Sequence, residues 1–153
     1  MKNIIITGAS SGIGKATALH FAANHWNVIA TMISLEEGKD LQNRPNIHCY
    51  LLDVTSTESI QTAKEKIVQD FKTIDALINN AGIGYRSFVE LSEDTNIKSI
   101  VEVNWLGVVK VSRAFIPVFR MQNHGQIINI SSIAGLVNLP LGSFYHSTKQ
   151  AVE

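Results

Sequence analysis

Short, nearly unbroken apolar runs alternate along this chain with longer stretches in which apolar residues recur every three or four positions. The first pattern marks a strand covered on both faces, the second a helix with one face against a core. Strands are expected at Asn3–Thr7, Asn27–Met32, Ile47–Leu51, Ala76–Asn79 and Gln126–Ile130. Helices are expected near Ile13–Asn24, Thr57–Phe71 and Asn96–Gln122, with a shorter one around Leu35–Gln42 and a last one starting near Phe144. Such alternation gives repeated βα units and a parallel sheet. With right-handed crossovers, the simplest product is a doubly wound, Rossmann-like α/β sheet of about five strands in the order 3-2-1-4-5.

The Asn96–Gln122 stretch departs from simple amphipathicity. Ile97, Val101, Asn104, Val108, Val111 and Phe115 form one stripe, while Ile100, Val103, Val109, Ile116 and Phe119 occupy other faces. A helix apolar nearly all round is buried on more than one side. A homo-oligomer packed through this helix is one solution, and burial within a single larger chain is the other.

Composition narrows the class. The chain has 153 residues without repeat or linker, so 1–153 is expected to be a single domain. Charged residues make up 17% and apolar ones 45%, which suits a sheet covered on both faces. Thirteen basic and thirteen acidic residues cancel, leaving no electrostatic case for nucleic acid or an anionic membrane. The apolar run Ile4-Ile5-Ile6 is too short for a signal peptide, and the Ile100–Phe119 window carries Glu102, Lys110 and Arg113. The single cysteine, Cys49, lies in an apolar run and is expected to be structural, in keeping with a reducing cytoplasm. No metal is expected, since the five histidines show no paired ligand spacing.

Two short patterns carry chemistry. Thr7-Gly8-Ala9-Ser10-Ser11-Gly12-Ile13-Gly14 sits where the first strand hands over to the first helix. Glycines there permit a tight turn, and a helix N-terminus offers unpaired N–H groups to a pyrophosphate. The spacing G-x-x-x-G-x-G is not the usual dinucleotide fingerprint, however. Near the other end, Tyr145 and Lys149 are four apart and share one helical face. A nearby ammonium favours a phenolate, and lowering a tyrosine from about 10 to about 7 takes roughly 4 kcal/mol.

The T-G-x-x-x-G-x-G turn resembles that of the short-chain dehydrogenase/reductase family in its single-domain form. Asp53 at the end of the third strand, Asn79-Asn80-Ala81-Gly82 after the fourth, Asn104, Ser132 and Tyr145 follow in the family's order. Ser132 precedes Tyr145 by thirteen residues, as in that family. The resemblance implies hydride transfer between a nicotinamide and a small carbonyl or alcohol. It implies Tyr145 as general acid or base, Lys149 as its electrostatic partner and holder of the nicotinamide ribose, Ser132 as the substrate-oxygen donor and Asn104 as the anchor of a proton-relay water. The cofactor would contact Gly8, Ser10, Ser11, Gly12, Ile13, Gly14, Asp53, Val54, Asn80, Ala81 and Gly82, together with Tyr145 and Lys149.

Other roles stand beside these. Asn104 suits backbone bonding within its helix, Asp53 suits capping of the helix after Thr55, and Ser131 competes with Ser132. The end of the second strand, Thr31-Met32-Ile33-Ser34, holds no acid for a ribose 2′-hydroxyl, and Glu36 and Glu37 fall late. NADP is therefore favoured over NAD, with Lys15 and Lys39 the nearest cations. Ile83, Gly84, Val137 and Asn138 are expected to border the substrate pocket. The family's usual length also implies that its C-terminal strands lie beyond Glu153 and that the domain is incomplete. The alternative to an active oxidoreductase is then a catalytically silent nucleotide-binding or self-associating fragment.

Overall fold

Within each apolar run, successive side chains leave the sheet on opposite faces. In β1 (Asn3–Thr7), Ile4 and Ile6 join Val28 and Ala30 of β2 (Asn27–Met32) and Ile78 of β4 (Ala76–Asn79) on one face. Ile5, Ile29 and Leu77 join the other. β3 (Ile47–Leu51) and β5 (Gln126–Asn129) complete a parallel sheet in the order β3-β2-β1-β4-β5. This computed structural model, describing residues 1–153, therefore has the expected doubly wound topology.

Helix α1 (Gly12–Ala23) and the short α2 (Lys39–Gln42) cover the first face, through Ala18 and Leu41. Helices α3 (Thr57–Asp70) and α5 (Gly107–Gln122) cover the second with Ile60, Ala63, Ile67, Val111, Phe115 and Phe119. The central strands, buried on both sides, explain why they read as unbroken apolar runs.

The long helical stretch is not uniform. α4 (Asp94–Val101) and α5 are joined by a π-helical turn, Glu102–Leu106, in which the Gly107 N–H donates to the Glu102 carbonyl. A Cβ on Gly107 would lie 2.9 Å from Val54 Cγ2, so glycine lets the helix approach the loop after β3. Lys110 fixes that approach, bonding the Thr55 carbonyl at 2.9 Å and Glu102 at 2.7 Å. Helix α2 begins at Lys39 rather than Leu35, and the last helix, α6, spans Ser143–Gln150. No helix is long and apolar enough to cross a membrane.

Candidate active site

The sheet reverses its winding between β1 and β4, and the loops leaving their carboxyl ends diverge there to form a crevice. One rim is the glycine turn. Gly8 has φ +65°, and a Cβ on it would lie 2.8 Å from Ala81 Cα, so the turn closes directly on the loop after β4. Thr7 Oγ1 accepts the N–H groups of Asn80 and Ala81, each at 3.0 Å. Asn80 Nδ2 returns bonds to the carbonyls of Thr7 (2.9 Å) and Gly8 (3.2 Å). A Cβ on Gly14 would collide with Gly8 and Asn80. The turn is thus fixed before any ligand arrives.

Ser11, the N-cap of α1, makes no side-chain cap, and a Cβ on Gly12 would meet open space. The first N–H groups of α1 therefore face a cleft of about 580 Å³. Gly8, Ser10, Ser11, Gly12, Ile13 and Gly14 line it, as do Asp53, Val54, Asn80, Ala81, Gly82, Tyr145 and Lys149. This arrangement fits a dinucleotide: free amides at a helix N-terminus suit its pyrophosphate, and the cleft continues past Asp53 on one side and Lys149 on the other.

The wall contributed by the second strand departs from expectation. Glu37 reaches the cleft, and Ser10 Oγ donates to its carboxylate at 3.4 Å. The cause is Gly38, whose N–H bonds the Leu35 carbonyl and whose position against Met32 leaves no room for a Cβ. This fold-back brings an acid near the end of β2 although it lies five residues beyond it in sequence. Lys15 and Lys39 are engaged by Asp40 and Glu36. Asp53 does not cap α3. Its Oδ1 accepts the N–H and hydroxyl of Thr55, while Ser56 caps the helix through the Ser59 N–H.

At the far end of the cleft, Lys149 is 6% exposed, with Nζ donating to the Ile130 carbonyl at 2.8 Å and lying 5.9 Å from the Tyr145 ring centre. Burial holds its ammonium below the ordinary lysine range. Asn104, 1% exposed at the π-turn, bonds outside its own helix. It accepts the Ile83 N–H at 2.8 Å and donates to the Ile83 carbonyl at 2.9 Å and Thr148 Oγ1 at 3.3 Å. A Cβ on Gly82 would sit 3.4 Å from Asn104 Oδ1 and 3.7 Å from Lys149 Nζ, so the missing side chain leaves the space between them open.

Tyr145 also lines a second cavity of about 450 Å³, where Ser132 lies. Ser131 instead lines the larger cleft and donates to the Lys149 carbonyl at 3.4 Å. Ser132 Oγ accepts the Ala134 N–H at 3.2 Å, leaving its own hydrogen free to donate. Gly84 borders both cavities, Ile83 only the larger, and Val137 and Asn138 neither. Sequence reasoning did not single out Tyr85, Arg86, Leu139 or His146 on this second wall. His146 is buried, and its Nδ1 accepts the Leu139 N–H at 3.2 Å, tying α6 to the loop before it.

Comparison with known proteins agrees with this architecture. Residues 2–153 match the family model described as short chain dehydrogenase. Over 150 residues the chain is 37% identical to a 3-ketodihydrosphingosine reductase of Bacteroides thetaiotaomicron, covering 98% of this chain but 54% of that protein. A solved structure, ElxO with NADP bound, aligns with a TM-score of 0.92 at 36% identity, over 99% of this chain and 63% of the other. A short chain dehydrogenase/reductase of Burkholderia phymatum in complex with NAD aligns with a TM-score of 0.94 at 27% identity, over 99% of this chain and 56% of the other. The chain thus spans little more than half the length of that curated relative and under two thirds of these solved structures. On its glycine turn, its sheet order and the match across nearly all its residues, the chain belongs to the short-chain dehydrogenase family.

Proposed function

We propose that this chain supplies the cofactor-binding and proton-transfer parts of an oxidoreductase acting on a carbonyl/alcohol pair with NAD or NADP. The observation that carries this reading is that Tyr145 borders both cavities while Lys149 lies buried beside it. A phenol in that position can meet a substrate in one cavity and a nicotinamide in the other. When bound, the reduced cofactor supplies hydride to the carbonyl carbon, and its oxidised form accepts hydride back.

The chain's own residues manage the proton and the orientation. Tyr145 Oη donates its proton to the substrate oxygen during reduction and takes it back during oxidation. Lys149 stabilises the phenolate through its charge in a poorly solvated place. Its remaining N–H groups, beyond the one held by Ile130, suit the nicotinamide ribose hydroxyls. The free Ser132 hydrogen aims the substrate oxygen. Asn104, with one Oδ1 lone pair left, anchors a proton relay through the open space beside Gly82.

For the cofactor's adenosine end, Glu37 opposes a 2′-phosphate and suits a 2′-hydroxyl, and the two nearby lysines are already paired. This favours NAD over the NADP expected from sequence. Burial raises the Cys49 thiol, in keeping with an unreactive structural residue. Oxidation of NADH or NADPH by a panel of ketones and aldehydes tests the reaction. Turnover that survives Tyr145→Phe at full rate would overturn it.

A second reading rests on the groove of about 520 Å³ lined by Trp105, Val109, Ile116, Pro117, Ala151 and Val152. Its exposed apolar side chains on α5 suit self-association, with or without catalysis. Sedimentation of the native chain and of Val109→Asp tests this, and an unaltered monomer in both would dismiss it.

A further inference from the structure

The cavity that Ser132 and Tyr145 share has an unbalanced charge. Of its lining side chains, Arg86 is the only permanently charged one, and no carboxylate borders the space. Arg86 forms no ion pair within the chain, although Glu90, Glu93 and Asp94 follow it closely in sequence. Tyr85, Ile133, Ala134 and Leu139 make the remaining walls largely apolar. His146 Nδ1 already accepts the Leu139 N–H. The loop that carries Arg86 is held in place, since the Ser87 N–H bonds the Leu141 carbonyl at 3.0 Å and Asn104 clamps Ile83.

We infer that this site takes an anionic substrate, an oxo carboxylate whose carboxyl group pairs with Arg86 while its carbonyl meets Ser132 and Tyr145. A guanidinium presents paired N–H donors that match a carboxylate, and such bonds are stronger than neutral ones. The apolar walls then hold the carbon chain between the two polar ends. This rests on the proposed reaction, whose hydride and proton transfers it leaves unchanged.

Pyruvate, acetoacetate and levulinate, each against its methyl ester, form the test. Binding to the chain with oxidised cofactor present is measured by calorimetry, and reduction by oxidation of NADH and of NADPH. The native chain should favour at least one acid over its ester by about tenfold or more in affinity. Arg86→Met should bring that ratio close to unity, and Arg86→Lys should restore part of it. Equal binding of every acid and its ester, or a ratio that persists in Arg86→Met, overturns the inference. Acid-selective binding without oxidation of either NADH or NADPH would sink the proposed reaction and leave the anion site standing. Equal turnover of acids and esters would do the reverse.

Discussion

Asn104 and Ile83 are joined by two reciprocal hydrogen bonds, the Ile83 N–H donating to Asn104 Oδ1 and Asn104 Nδ2 donating to the Ile83 carbonyl. The pair resembles one rung of a sheet ladder made by a side chain. It ties the loop after β4 to the π-turn of the long helix, and so sets where Gly82 and Gly84 border the cleft. Asn104→Ala leaves both backbone groups of Ile83 without these partners. It is expected to cost about 2 kcal/mol, seen as a lower urea midpoint with little change in slope. A cost below about 0.5 kcal/mol would mean that the loop is held by something else.

Tyr145→Phe removes one hydroxyl at the junction of the two cavities and leaves the ring's packing intact. NADH or NADPH should still quench tryptophan fluorescence at similar concentrations. The rate of carbonyl reduction should fall by about 100-fold or more, as for loss of a general acid. Loss of cofactor binding together with activity would show instead that the phenol is chiefly a structural contact.

Glu37 offers a test of cofactor choice. Its carboxylate lies beside Ser10 at the cleft wall, and the proposed preference for NAD requires that it repel a 2′-phosphate there. Two unit charges about 4 Å apart in water interact by about 1 kcal/mol, and a phosphate dianion roughly doubles that. Glu37→Gln should therefore shift the ratio of kcat/KM with NADPH to that with NADH upward by about tenfold or more. An unchanged ratio would remove Glu37 from the adenosine subsite.

Apolar runs located all five strands: β1, β2 and β4 are buried on both faces and show it as an unbroken run, while the edge strands β3 and β5 are only partly buried and keep shorter apolar stretches. The interruption of the long helix at Glu102–Leu106 left no such trace, since its cause is the contact of Gly107 with Val54 and the clamp of Asn104 on Ile83. By residue count Glu37 lies too far beyond β2 to reach the cofactor's ribose. Only the tight Gly38 turn over Met32 brings it back, and glycine in a polar stretch does not reveal what it packs against. Arg86 and His146 share a cavity wall although sixty residues separate them. Neither has a spacing that sequence can read. Tyr145 and Lys149 were legible because one helix carries both.

Lys149 ties the site's chemistry to the stability of the fold. Its ammonium is buried without a carboxylate within ion-pair distance, and burial holds its pKa below the ordinary lysine value. In the unfolded chain the same group titrates at about 10.4. Between those two values the unfolded state binds more protons, so this residue's contribution to stability rises with pH. Below the window both states are charged and the burial cost is complete; above it both are neutral and the cost is gone. Lys149→Met should remove this rise, and at neutral pH it should be as stable as the native chain or more so. Its carbonyl reduction should meanwhile fall by about 100-fold or more, because Tyr145 loses the charge that favours its phenolate. Urea unfolding of both proteins from about pH 7 to about pH 10 measures the difference. If the native and Lys149→Met stabilities run parallel across that range, the fold does not lower the Lys149 pKa, and its ammonium is not the poorly solvated charge proposed to favour the phenolate of Tyr145.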